Sequence, residues 1–161
     1  MPRTIATTTD VDRESLLDFV RPRHKFVLIT PRRDGRTQSS PVTGGVDPEG
    51  RLVVASYPQR AKVRNVRRHG SAAVLVLSDD FEDAWVHVDG PCEVLDAVGE
   101  DGQPDEAALD AFVDYFRAVA GEHDDWQEYR QAMVAQGKSL LRLTPESWSP
   151  VATGGFPPEL A

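Results

Sequence analysis

Turn signals punctuate the first hundred residues at intervals of about ten to twenty, and the segments between them are short and extended. Asp34-Gly35 is a two-residue hairpin signal, and Asp47-Pro48-Glu49-Gly50 a second turn. Between and around them His24–Arg33, Arg36–Val46 and Arg51–Tyr57 are rich in β-branched residues. Such spacing leaves little choice but an antiparallel meander. A short amphipathic helix precedes it over Asp12–Val20, with Leu16, Leu17 and Val20 on one face and Pro22 closing it.

Pro58 suits the first turn of a helix, and Gln59–His69 reads as one stopped by Gly70. Ser71–Ser78 is almost wholly apolar, as expected of a strand buried on both faces. Ala84–Leu95 alternates and is interrupted by Gly90-Pro91, a place for a strand to turn a barrel corner. After an acidic loop, Gly99–Pro104, helices are expected over Asp105–Ala120 and Asp124–Gln136, then a last strand over Lys138–Thr144. The pattern predicts one mainly β domain over 1–161, a small closed or half-closed antiparallel barrel with peripheral helices. Residues 1–10 form an arm. Residues 146–161, rich in proline and glycine, read as an extended tail left mobile unless a partner subunit holds it.

The formal net charge is −8, which speaks against a nucleic-acid or anionic-membrane binder. Its distribution is uneven. Residues 96–128 hold eleven acids and the single base Arg117, whereas residues 51–70 hold six bases, Arg51, Arg60, Lys62, Arg64, Arg67 and Arg68, and no acid. The one cysteine, Cys92, excludes an internal disulfide and a thiol pair, and with no signal-like amino terminus a cytoplasmic location is expected. The histidines His24, His69, His87 and His123 are scattered without metal-ligand spacing, so no metal is expected.

On the helix after Pro58, Arg60, Arg64, Arg67 and Arg68 share a stripe that faces solvent. Lys62 falls on the opposite side with Val66, toward the barrel, one turn from the helix start. A lysine there needs an anion or a route to water. Helix amino termini attract phosphate, and Ser56, Arg60, Lys62 and Asn65 would add donors around that point.

The run Ser56-Tyr57-Pro58-Gln59-Arg60-Ala61-Lys62-Val63-Arg64-Asn65-Val66-Arg67-Arg68, followed by the apolar strand Ala72–Leu77, resembles the phosphate-binding segment of the flavin and deazaflavin split-barrel oxidoreductases, the pyridoxamine-phosphate-oxidase-like superfamily. It is most similar to the actinobacterial branch that uses coenzyme F420. Thr30–Ser40, Asp47–Val54 and Ala120–Val134 resemble that branch as well, so the likeness spans roughly residues 12–145. It implies a homodimer of FMN-binding split-barrel type with two cofactor sites at the subunit interface. Arg60 and Lys62 would then hold the cofactor phosphate with Ser56 and Asn65 nearby, and Gln38 and Ser40 would approach the ring. The Tyr57 backbone and the loop at Phe81 would line the ring's edge, and Trp85 would reach the ring or the partner. The sequence departs from the branch at Pro41, where a polar residue is common, and at Phe81–Ala84, where the loop is a residue longer. The implied activity is F420-dependent hydride transfer to a small or medium conjugated acceptor, with no catalytic side chain required. Alternatives are an FMN-dependent oxidase of pyridoxamine-phosphate type and a non-catalytic carrier of flavin, deazaflavin or haem.

Overall fold

The computed structural model describes residues 3–160. A two-residue strand, β1 (Thr8–Thr9), leads to helix α1 (Arg13–Val20). The Asp12 carboxylate caps that helix by accepting the Ser15 amide at 2.9 Å, and Leu16, Leu17 and Val20 point inward. Strands β2 (Lys25–Pro31) and β3 (Thr37–Val46) then form the expected hairpin, in register from Lys25↔Thr43 to Pro31↔Thr37. Its turn needs Gly35, whose φ is +86°.

Strand β4 (Leu52–Ser56) follows the second turn, where the buried Asp47 carboxylate accepts the amides of Glu49 and Arg51 and the Arg51 guanidinium. Helix α2 (Ala61–His69) begins two residues later than its sequence signal and ends on Gly70 in the left-handed region. Next come β5 (Ser71–Leu77), β6 (Val86–Asp96), the helices α3 (Glu106–Ala120) and α4 (Trp126–Gln136), and β7 (Ser139–Leu143). The order β5-β2-β3-β4-β7-β6, closed by pairing of β5 with β6, is a six-stranded antiparallel barrel.

Two long strands turn its corners. Strand β3 leaves β2 for β4 at Gly44-Gly45, and β6 leaves β5 for β7 at Gly90–Cys92. A Cβ on Gly44 would run into the Phe26 ring, and one on Gly90 into the Thr144 carbonyl oxygen. Phe26, Leu28, Val54, Val74, Val88 and Leu141 fill the barrel with Val63 and Val66 of α2, while Val53 and Leu140 point the other way, onto Leu109, Phe112, Tyr129 and Met133.

Two expectations are corrected. The apolar strand β5 is covered on one side only: Ala72, Val74 and Val76 are buried in the barrel, but Ala73, Leu75 and Leu77 on its outer face stay half-exposed, beside Val27 and Ile29 of β2. The carboxy-terminal tail is held by its own chain. Strand β8 (Ser147–Trp148) pairs with β6, β9 (Val151–Ala152) pairs with β1, and the Trp148 indole donates to the Val11 carbonyl at 2.8 Å. Proline and glycine content suggested freedom, but the backbone groups of 147–156 find partners on β6 and the amino-terminal arm. Of the expected arm and tail, Met1, Pro2 and Ala161 lie outside the described residues.

Candidate functional site

Between β4 and α2 the chain makes a turn, Tyr57 to Arg60, closed by the Arg60 amide donating to the Tyr57 carbonyl at 3.1 Å. Arg60 is the N-cap residue of α2 and makes no side-chain cap, so the amides of Ala61 and Lys62 have no acceptor among the described residues. No acid sits in the first turn, and Arg67, Arg68 and His69 occupy the last, where they complement the helix dipole. The Arg60, Arg64, Arg67 and Arg68 side chains face solvent as expected, Arg67 pairing with Asp96 at 2.6 Å.

Lys62 is half-buried. Burial and then the Arg60 charge hold its pKa below the ordinary lysine value, and no carboxylate offsets either effect. A cation is thus kept partly dehydrated at a helix start that offers free amides, an arrangement that favours an anion. Ser56, at the end of β4, is buried opposite Ser139. The Tyr57 ring is more than a third exposed and lies 5.2 Å from Lys138 Nζ, a cation the sequence analysis did not single out.

One turn beyond Lys62, Asn65 is buried, and its Nδ2 donates to Thr30 Oγ1 at 3.0 Å. Thr30 donates in turn to Gln38 Oε1 at 3.3 Å, so α2 and the start of β3 are joined through β2. Thr30 was missed, yet its signal is plain: in the inward series Phe26, Leu28, Thr30 it is the one polar residue, and it is wholly buried. Ser40 stands two residues from Gln38 on the same face of β3. Its hydroxyl oxygen is buried without a hydrogen-bond partner among the described residues.

Phe81 and Trp85 are elsewhere. They follow Leu77, which pairs with Lys25 at the far end of β2 from Thr30, a separation of about 16 Å along the strand. There Phe81, 80% exposed, and Trp85 line a cavity of ≈ 320 Å³ with Thr4, Glu82, Gly154 and Gly155. A single chain therefore brings Ser56, Arg60, Lys62, Asn65, Gln38 and Ser40 to the α2 side of the barrel but leaves Phe81 and Trp85 at its other end.

His87 points outward beside Asp89 at 3.5 Å, and His123 packs among Phe116, Trp126 and Tyr129. Burial pushes the Cys92 thiol up to about 12, so it is inert at neutral pH. No helix among the described residues is long and apolar enough to cross a membrane.

The family model described as pyridoxamine 5'-phosphate oxidase matches residues 13–152, from the first residue of α1 to the last of β9. The chain belongs to the pyridoxamine 5'-phosphate oxidase family. Solved structures resemble this family member over most of their length. A conserved hypothetical protein from Mycobacterium tuberculosis superposes with a TM-score of 0.70 at 19% identity, covering 90% of this chain and 88% of that one. An F420 reductase gives 0.58 at 22% identity, with 88% and 98% covered. The heme storage protein of Vibrio cholerae gives 0.60 at 16% identity, with 86% and 93% covered. At these identities the likeness is one of fold, and the last two names, a reductase and a heme storage protein, differ in chemistry.

Proposed function

We propose that this member of the pyridoxamine 5'-phosphate oxidase family is a coenzyme F420-dependent oxidoreductase that reduces a small or medium conjugated organic acceptor. The observation that carries the reading is Lys62, half-buried at the start of α2 with no carboxylate beside it among the described residues. The donor set fits a phosphorylated polycyclic cofactor: open amides at Ala61 and Lys62, two cations at Arg60 and Lys62, and the unpartnered Ser40 hydroxyl for a ring heteroatom.

In this reading Lys62 and Arg60 bind the phosphate, the α2 amides orient it, and Gln38 and Ser40 fix the ring against β3. Tyr57 shields the ring's edge from water. When bound, the reduced deazaflavin supplies a hydride from its ring carbon, so the protein's part is to hold donor and acceptor in register and exclude water. No side chain need accept or donate a proton in that step.

A homodimer completes the site. The open outer face of β2 and β5, Val27, Ile29, Ala73, Leu75 and Leu77, is apolar enough to want a cover, and a second copy of the chain packed on it would bury that face and bring its own residues next to the α2 side of the barrel. The proposed location is the cytoplasm. The test is a reduction assay: protein with reduced F420 and a panel of quinones, nitroaromatics and enones should regenerate the oxidised coenzyme's absorbance. A panel wholly unreduced would favour a carrier.

A further inference from the structure

Which way a buried amide points is decided by its partners. Arg68 can only donate. Its Nη1 donates to Asn65 Oδ1 at 3.1 Å, which leaves the Asn65 amide nitrogen to face Thr30 Oγ1 at 3.0 Å. Thr30 has one proton. Having accepted from Asn65, the hydroxyl directs that proton to Gln38 Oε1. Gln38 Nε2 therefore points away from Thr30, one of its protons on the Ser39 carbonyl at 3.1 Å and the other without an acceptor among the described residues. Polarity runs one way, from α2 through β2 to β3.

We infer that Arg68, Asn65 and Thr30 form a one-way hydrogen-bond relay that fixes Gln38 as a donor, so that the site selects a cofactor ring edge bearing a hydrogen-bond acceptor such as a ring carbonyl. The inference rests on the cofactor reading above. Gln38 and Ser40 are the residues that touch the ring; Arg68, Asn65 and Thr30 are positioning residues. Ser40 Oγ, buried and unpartnered on the same face of β3, supplies the second contact and takes either sense, because a hydroxyl both donates and accepts. Gln38 alone has its sense imposed. A relay running in reverse would present the Gln38 carbonyl to a ring carbonyl, and two acceptors repel.

Three variants separate the relay from plain packing. Thr30→Val keeps the shape and removes the hydroxyl, Thr30→Ser keeps the hydroxyl, and Asn65→Asp accepts from Arg68 and Thr30 together, turning the Thr30 proton away from Gln38. Dissociation constants for F420 and FMN are read by fluorescence, and the Gln38 side-chain amide by proton–nitrogen NMR in the coenzyme-free protein. Thr30→Val should weaken the preferred coenzyme about tenfold and move the Gln38 signals. Thr30→Ser should restore both. Asn65→Asp should slow exchange of the Gln38 amide protons, now donated to Thr30. A wild type that binds, with Thr30→Val binding as tightly and its Gln38 signals unmoved, overturns the relay and leaves the cofactor reading standing. A wild type that binds neither coenzyme overturns the cofactor reading and the purpose given to the relay with it.

Discussion

Gly90 of β6 lies directly beneath the Thr144 carbonyl oxygen, with no room between them for a Cβ. The neighbouring Thr144 amide donates to the Pro91 carbonyl at 2.9 Å, so the corner of β6 is pinned to the end of β7. Gly90→Ala must push backbone from backbone. It should cost about 3 kcal/mol and lower Tm by roughly 6–12 °C in a domain of this size, measured by calorimetry. An unchanged Tm would mean that the corner yields more easily than its packing implies.

Lys62→Ala should weaken coenzyme binding by about 1–3 kcal/mol, with Tm held or raised, because the free protein loses a poorly solvated charge. Titration calorimetry of the two proteins checks it. Equal affinities would contradict the assignment.

The same lysine sets a pH dependence. Burial and Arg60 depress its pKa in the free protein, so in alkaline solution it gives up its proton earlier than an ordinary lysine. A bound phosphate favours the charged form and raises that pKa again, so binding takes up a proton and affinity falls as pH rises through the lowered value. Stability of the free protein changes in the opposite sense: the unfolded chain holds the Lys62 proton more tightly, so stability rises as pH rises through that value toward the unfolded pKa. Both dependences should vanish in Lys62→Ala, as read by proton uptake in buffers of different ionisation enthalpy.

Trp148→Ala should destabilise the protein by roughly 2–3 kcal/mol, since the indole packs on the barrel core and donates to Val11. Coenzyme affinity should not change. A loss of affinity without loss of stability would place Trp148 over the site instead.

Leu75→Glu puts a charge on the open face of β5 without touching the barrel interior. It should leave a monomer of normal circular dichroism in sedimentation, where the wild type should run as a dimer, and lower coenzyme affinity at the same time. A wild type that sediments as a monomer would contradict the two-chain site.

Every barrel strand and all four α-helices were legible in the sequence to within two residues at either end, because turn residues and periodicity state them locally. Gly44-Gly45 and Gly90-Pro91 marked the corners for the same reason. The tail was misread because proline and glycine content says nothing of where a strand's hydrogen bonds go, and those of β8 and β9 go to residues more than fifty positions away in sequence. Of the site, Lys62 could be placed by helical angle alone. The Thr30 link could not, since it depends on the register that sets β2 against both α2 and β3. The place of Phe81 and Trp85 could not either, since it follows from the β2–β5 register that sets Leu77 against Lys25, at the far end of β2 from Thr30.

The most direct test is titration of the purified protein with oxidised F420 and, separately, with FMN, each followed by calorimetry and fluorescence. A site built around Lys62 and the donor at Gln38 should bind F420 at one site per chain and more tightly than FMN, with the affinity for F420 lowered in Lys62→Ala. Tighter binding of FMN, or of neither, would contradict it.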